Sequence, residues 1–403
     1  MFATFRWCFK QTLNFKMIGE TDLIDKKLVM VPGPTNVPDS VMYAMLQPMI
    51  DHRGADFHAL YSEIEANLKY VFQTENDVFI LTSSGTGGVE CAVCNLIGEG
   101  EKVIVPVFGV FSERLAEKIR RRGGVPIEVA LPWGTAPKAS EIEEVVEKEP
   151  DAKAIFLVYN ETSTGVTVRD LPQIGRIADE NDMLFMVDAV SILGGDHLPV
   201  DEWNIDVCVT GSQKCLACPP GLALVSVSSK AWEKIEKTEN KPMYFDLLKM
   251  REYASKKETP FTPALPLFYA LNEALKLVRR EGLERRIERH KRCAEAFYNA
   301  IDALRMTPFP MEKENRSNTV IAVNVPDGVN ESKVREIMRE KYNVLIAGGM
   351  GKLKGKILRI GCMGVVSQME VLMTVNALAN ALKDVGYPVN IEDCLNAARK
   401  IFQ

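Results

Sequence analysis

Two side chains carry the first chemical clue. Lys214 closes the run Val209-Thr210-Gly211-Ser212-Gln213-Lys214, just past an apolar stretch, and Asp188 ends the preceding apolar run Leu184-Phe185-Met186-Val187-Asp188. A lysine amine can hold an aldehyde as a Schiff base, and a carboxylate can pair with a protonated pyridine nitrogen, so the two together suit an enzyme that uses pyridoxal 5′-phosphate. Each residue also has an ordinary reading. Asp188 would serve equally as a helix N-cap after a strand, and a lone lysine is ordinarily a solvated surface residue. The setting of Lys214 favours function: an apolar run leads into it, small residues flank it, and the strongly apolar segment Cys215–Leu224, with Pro219-Pro220-Gly221, follows it. Burial of a lysine lowers its pKa and makes the amine nucleophilic.

Further groups fit the same chemistry. Ser83-Ser84-Gly85-Thr86-Gly87-Gly88 follows the apolar run Val78–Leu81 and precedes the periodic positions Val89, Val93 and Leu96. Glycines let backbone N–H groups approach a phosphate at a helix start, and the Thr86 hydroxyl adds a donor. The same loop also fits the first turn of a dinucleotide fold, but no G-x-G-x-x-G run is present, and no Gly-Lys-Ser/Thr makes it a P-loop. Phe111, just after the next apolar run, would stack on a cofactor ring or simply pack in the core. Arg359 lies inside Ile357-Leu358-Arg359-Ile360-Gly361. A buried arginine needs a partner, which is either a structural carboxylate or the α-carboxylate of a substrate. Cys91-x-x-Cys94 and Cys215-x-x-Cys218 have metal-like spacing but lie about 120 residues apart in apolar contexts, so buried thiols are expected and no metal site is assigned.

The elements that must position these groups show in the hydropathy pattern. Short apolar runs at Val78–Leu81, Val103–Val107, Ile155–Tyr159, Leu184–Val187, Val207–Thr210 and Leu222–Val227 read as strands buried on both faces. Helical stretches at Phe111–Arg122, Ala139–Lys148 and Leu171–Asn181 separate them, which is α/β architecture with a mostly parallel sheet. A proline-rich loop, Thr259–Pro266, precedes a helix expected to run from Phe268 past Gly282 towards Ala303. Strands at Thr319–Val325 and Lys356–Ile360, with helices at Glu331–Tyr342 and Met369–Val385, then form a smaller α/β unit. The expected division is an N-terminal extension over 1–20, a large domain over 21–280 and a small domain over 281–403.

Composition limits the alternatives. The 403 residues carry a formal net charge of −5, and no long basic run is present, which argues against a general nucleic-acid binder. No apolar stretch reaches membrane-spanning length. The nine cysteines are odd in number and several sit in apolar patterns, as expected for free thiols in a reducing cytoplasm. Residues 1–16 carry Arg6, Lys10 and Lys16 and no acid. A targeting peptide has that character, although Met17 equally marks an ordinary start, which leaves these residues as an upstream extension.

Taken in order, the motifs resemble those of the class V aminotransferases, in the alanine/serine–glyoxylate or –pyruvate group. The likeness runs from about Val31 to Val385 through Pro32-Gly33-Pro34-Thr35-Asn36-Val37-Pro38, Ser84-Gly85-Thr86-Gly87, Asn160-Glu161-Thr162-Ser163-Thr164-Gly165, Val187-Asp188, Gly211-Ser212-Gln213-Lys214 and Arg359-Ile360-Gly361-Cys362-Met363-Gly364. The resemblance implies the aspartate-aminotransferase-like fold type I and pyridoxal 5′-phosphate as cofactor. It implies that Lys214 forms the Schiff base, that Asp188 pairs with the ring nitrogen, and that Phe111 stacks on the ring where many relatives have Trp. Thr162 would bond near the ring hydroxyl, and Thr86, Gly87 and Gln213 would hold the phosphate. Thr262 would reach the phosphate of a neighbouring subunit in a homodimer with shared active sites. Arg359 would bind the substrate carboxylate, and the opening loop at Gly33 would help shape the pocket. The implied reaction is ping-pong transamination from a small amino acid (alanine, serine or aspartate) to glyoxylate or pyruvate.

Three positions depart from relatives. Gly88 stands where some have histidine, Thr259 where some have a phosphate-binding tyrosine, and Cys362 where many have histidine or leucine. The rival on the same fold is a cysteine desulfurase or lyase. That group usually has His before the cofactor lysine and a reactive Cys on a late loop. Here Gln213 precedes Lys214, and Ala347-Gly348-Gly349-Met350-Gly351 has no Cys. A catalytically silent cofactor-binding homologue would have no need to keep Lys214, Asp188 and Arg359 together.

Overall fold

The computed structural model describes residues 27–403, so the expectations for the first 20 residues lie outside the described residues. In chain order the strands are β1 (Leu28–Val29), β2 (Asp77–Thr82), β3 (Lys102–Val107), β4 (Val125–Ala130), β5 (Ala154–Val158), β6 (Asn160–Glu161), β7 (Val166–Thr167), β8 (Leu184–Asp188), β9 (Val207–Gly211), β10 (Leu222–Val227), β11 (Val320–Asn324), β12 (Val344–Leu345), β13 (Ala347–Gly348) and β14 (Ile357–Gly361). Seven of them form the central sheet, in the order β2-β10-β9-β8-β5-β3-β4. β10 runs antiparallel to both of its neighbours, and the other pairings are parallel. The α/β class with a mostly parallel sheet is therefore as the apolar runs imply.

Those runs lack polar alternation because both sheet faces are covered. Along β5, Ile155 and Leu157 enter one apolar core, while Ala154, Phe156 and Val158 enter the core on the opposite face. β4 is the strand that the hydropathy pattern hides. It sits at the sheet edge, is only partly buried, and carries Pro126 and Glu128, as edge strands tolerate.

A second core forms around the helices Leu283–Ala303, Glu331–Tyr342, Gln368–Asp384 and Ile391–Arg399 and the sheet β11-β14-β13. Leu28–Val29 pairs in parallel with Val344–Leu345, and Met30 is buried in this same core. The first described residues thus pack with the C-terminal unit, although they fall within the 21–280 range of the large domain. The long helix expected through Gly282 is instead two helices, Leu265–Glu281 and Leu283–Ala303. Gly282 adopts φ +84° between them, a conformation that glycine reaches without penalty. Apolar residues recur on both sides of the break, which is why the sequence reads as continuous.

Candidate active site

β2, β3, β5, β8 and β9 point the same way, so their C-terminal ends share one edge of the sheet, the edge at which open α/β sheets bind ligands. Each end delivers a candidate residue. After β2, Ser84 caps the helix Gly85–Leu96 by accepting the Gly87 N–H at 3.4 Å. After β3, the helix Val110–Arg122 begins with Phe111 in its first turn. The β6–β7 hairpin after β5 presents Thr162, β8 ends on Asp188, and β9 leads to Lys214. Thr86, Phe111, Asn160, Thr162, Asp188 and Lys214 line one cleft, together with Arg114 and Lys118.

The Lys214 amine donates to the Pro32 carbonyl. Burial lowers its pKa to about 8, against the opposing pull of Cys215 and Asp188. Gly33, at φ +88°, lies against the lysine stem, and a Cβ there would sit 2.5 Å from Lys214 Cδ. Burial raises the pKa of Asp188 to about 6, opposed by the Val190 N–H, which donates to Oδ1 at 2.9 Å. The carboxylate is only partly covered, and its Oδ2 makes no hydrogen bond among the described residues. This free acceptor faces the cleft that Lys214 also lines.

Arg359 is 6% exposed. Its Nε donates to Gly348 O at 2.8 Å and its Nη1 to Thr162 O at 2.9 Å. Burial lowers its pKa to about 10, with Glu161 opposing. No carboxylate forms an ion pair with it among the described residues, so a structural salt bridge does not account for the charge. Thr162 Oγ1 donates to Ser191 Oγ at 2.8 Å, within a buried network that includes Asn160 and Thr319.

Glu161, fully buried, had no role from the sequence. Its Oε2 accepts from Phe111 N, Ser112 N and Ser112 Oγ at 2.9–3.1 Å, and its Oε1 accepts from Ser163 N and Ser163 Oγ at 3.1 and 2.6 Å. It thereby caps the helix that carries Phe111 and fixes that helix to the Thr162 hairpin. The only signal in the sequence was an acid among small polar residues directly after an apolar strand.

A Cβ on Gly87 would meet the Ser83 hydroxyl, which would have to rotate away. At Gly88 a Cβ would lie 2.8 Å from Val209 Cγ1 and 2.9 Å from Ala223 Cβ, so the histidine of some relatives cannot be placed here without moving the helix off the sheet. The Gln213 Oε1 is buried without a partner. Thr262 is exposed and, like Gly33, Gly87, Gln213 and Arg359, is not among the residues lining this cleft. Thr259 Oγ1 is spent on Phe261 O at 2.7 Å. Cys362 is buried, and burial pushes its thiol well up. Cys91 and Cys94 lie on the helix Gly85–Leu96, whereas Cys215 and Cys218 follow β9. Among the described residues, no three His, Cys, Asp or Glu side chains gather as a metal site would require.

The family model for aminotransferase class V matches residues 31–361. The chain belongs to the class V aminotransferases. It is 44% identical to an uncharacterized aminotransferase of Methanocaldococcus jannaschii, over 93% of this chain and 97% of that protein. It is 35% identical to the serine–glyoxylate aminotransferase of Methylorubrum extorquens, over 89% and 92% of the two. The crystal structure of ureidoglycine–glyoxylate aminotransferase from Bacillus subtilis superposes with a TM-score of 0.89 at 30% identity, covering 94% of this chain and 99% of that one. The protein is thus an aminotransferase of the pyridoxal-phosphate fold type I, and its cofactor is pyridoxal 5′-phosphate. The residues present fit that group: Asp188, with an oxygen free of hydrogen bonds, lines the cleft with Lys214 and with Thr86 at the start of the helix Gly85–Leu96.

Proposed function

We propose that this class V aminotransferase moves the amino group of a small amino acid (alanine, serine or aspartate) to a 2-oxo acid, glyoxylate or pyruvate, in two half-reactions. The Methylorubrum and Bacillus relatives are named for glyoxylate, which supports that acceptor. The observation that carries the reading is Arg359: a buried guanidinium held by two carbonyls, with no carboxylate of its own, in contact with a wall of the Lys214 cleft. A substrate α-carboxylate supplies the missing charge bidentately.

Bound pyridoxal phosphate supplies an aldehyde for amine exchange and a ring that takes up electrons from the substrate α-carbon. Thr86, Gly87 and Gln213 would hold its phosphate, Phe111 would lie on the ring, Thr162 would stand near the ring hydroxyl, and Asp188 would keep the ring nitrogen protonated. Lys214 Nζ, whose pKa burial lowers to about 8, would take up the α-proton and return it. Gly33 packs on the lysine stem and limits the room beside it. We place residues 21–280 and 281–403 as the large and small domains, with residues 28–30 of the former seated in the core of the latter, and a homodimer in which Thr262 would serve the neighbouring cleft. The eight described cysteines are free, and seven are buried, which supports a reducing, cytoplasmic setting.

The test is a yellow purified protein whose visible absorbance is removed by borohydride, with the reduced cofactor found on Lys214 by peptide mass spectrometry. Lys214→Ala is expected to lower transamination with glyoxylate by at least about 10²–10⁴-fold, the usual contribution of a positioned acid–base group. A label on another lysine, or full activity in that variant, would sink the assignment.

A further inference from the structure

The helix Leu283–Ala303 carries a charged cluster that touches neither the cleft nor any candidate residue directly. Arg286 is 2% exposed, and a buried charge persists only when well paired. Its Nη1 donates to Glu281 Oε2 at 2.8 Å, and its Nη2 donates to the carbonyl of Cys215, the residue after Lys214. Arg289, one turn on, donates to both oxygens of the same Glu281, at 2.6 and 3.0 Å. It also donates to Gly364 O, at 3.1 Å, and to Val366 O, in the loop that leaves β14 and so follows Arg359. His290 completes the grip. Its Nε2 accepts the Gly364 N–H at 3.0 Å, so its proton sits on Nδ1, 2.7 Å from Arg286 O. Burial and the two arginines push its pKa well down and keep it neutral.

The two gripped segments also touch each other. A Cβ on Gly364, at φ +80°, would lie 3.1 Å from Thr35 Oγ1, 3.2 Å from Ala217 Cβ and 3.4 Å from Lys214 O. Ala217 holds φ +54°, which an alanine does not favour, while its N–H closes the lysine turn on Lys214 O at 2.9 Å. A turn of this kind persists because its surroundings hold it.

We propose that Arg286 is a positioning residue: through the Cys215 carbonyl, and with Glu281 and Arg289, it fixes the Lys214 turn on the same helix face that holds the loop behind Arg359. One ionic cluster thereby sets the lysine relative to the carboxylate site. The catalytic part of this inference rests on the proposed roles of Lys214 and Arg359, whereas the structural part does not.

The test compares the wild type with Arg286→Met, Arg286→Lys and Glu281→Gln. In the cofactor-free protein, hydrogen exchange of amides 212–218 is expected to quicken by about tenfold or more in Arg286→Met and to return close to wild type in Arg286→Lys, because a local opening is being released. In the holoenzyme, Arg286→Met is expected to lower kcat by about 10²-fold, as a small misplacement of a reacting group does, with KM for the amino donor little changed. The pH midpoint of the bound-cofactor absorbance band is expected to move in the same variant. Should Arg286→Met fail to fold, Glu281→Gln, which keeps the cation and weakens its anchor, is expected to give the same pattern at smaller size. Unchanged exchange across 212–218, or a lowered melting temperature with wild-type kcat and band position, overturns the proposal. Quickened exchange together with full activity in Lys214→Ala would overturn the assigned lysine role and leave the structural coupling standing.

Discussion

At the scale of single residues, the cleft places two titrating groups with oppositely shifted pKa values side by side. Lys214 is lowered from 10.5 to about 8 by burial, so the folded chain holds fewer protons than the unfolded chain between those values. Its contribution to stability therefore rises with pH across that window. Asp188 is raised from 3.8 to about 6, so the folded chain holds more protons there, and its contribution falls as pH rises through that range. The cofactor-free protein is accordingly expected to capture pyridoxal 5′-phosphate faster as pH rises, with a half-maximal rate near pH 8, followed by borohydride trapping and mass spectrometry. Lys214→Arg should abolish capture, and a midpoint near the ordinary lysine value would contradict the lowered pKa. Lys214 and Asp188 were legible in the sequence because each ends an apolar run, and a strand end at one sheet edge is where ligands bind. Glu161 was not legible, because its partners Phe111 and Ser112 lie about 50 residues upstream and meet it only in the fold.

At the scale of elements, buried strands were readable because their apolar runs are continuous, and the edge strand β4 was not, because partial exposure breaks its pattern. Apolar periodicity also carried the helix reading across Gly282, since periodicity reports the buried face and not the backbone angle at one residue. Gly88 shows the opposite case, where a glycine that looked like a mere departure from relatives turns out to set a packing distance. It seats the helix Gly85–Leu96 against Val209 of β9 and Ala223 of β10. That helix start is also the proposed phosphate site, so its seating fixes where Thr86 and Gly87 lie. Gly88→Ala is expected to cost about 1–3 kcal/mol by overpacking, and Gly88→His more, read as a lower midpoint in chemical denaturation. Cofactor affinity should fall with it, because the N–H groups move away from the sheet edge. A Gly88→His protein with wild-type stability and affinity would show that the helix shifts without consequence.

At the scale of the whole molecule, the single chain leaves apolar and functional groups without a use. Met42, Tyr43, Leu46 and Met49, on and just after the helix Asp39–Ala44, are 46%, 69%, 79% and 63% exposed. Met243 and Tyr244 are 71% and 43% exposed, and Tyr244 stacks on Phe261, next to Thr262. Large apolar side chains grouped at a surface mark an interaction site, and an isologous dimer would cover the same patch on both copies. In the homodimer proposed above, the exposed Thr262 would serve the partner's cleft. Light scattering is expected to give twice the chain mass for the wild type and the chain mass for Leu46→Arg or Tyr43→Glu. In the monomeric variants the loss of one hydrogen bond to a charged phosphate, about 1.5–3 kcal/mol, is expected to weaken cofactor binding by roughly tenfold or more. Thr262→Val should weaken it by a similar factor while remaining dimeric. Monomers that bind the cofactor as tightly as wild type would confine the complete site to one chain, and a Thr262→Val dimer with full affinity would remove the threonine from it.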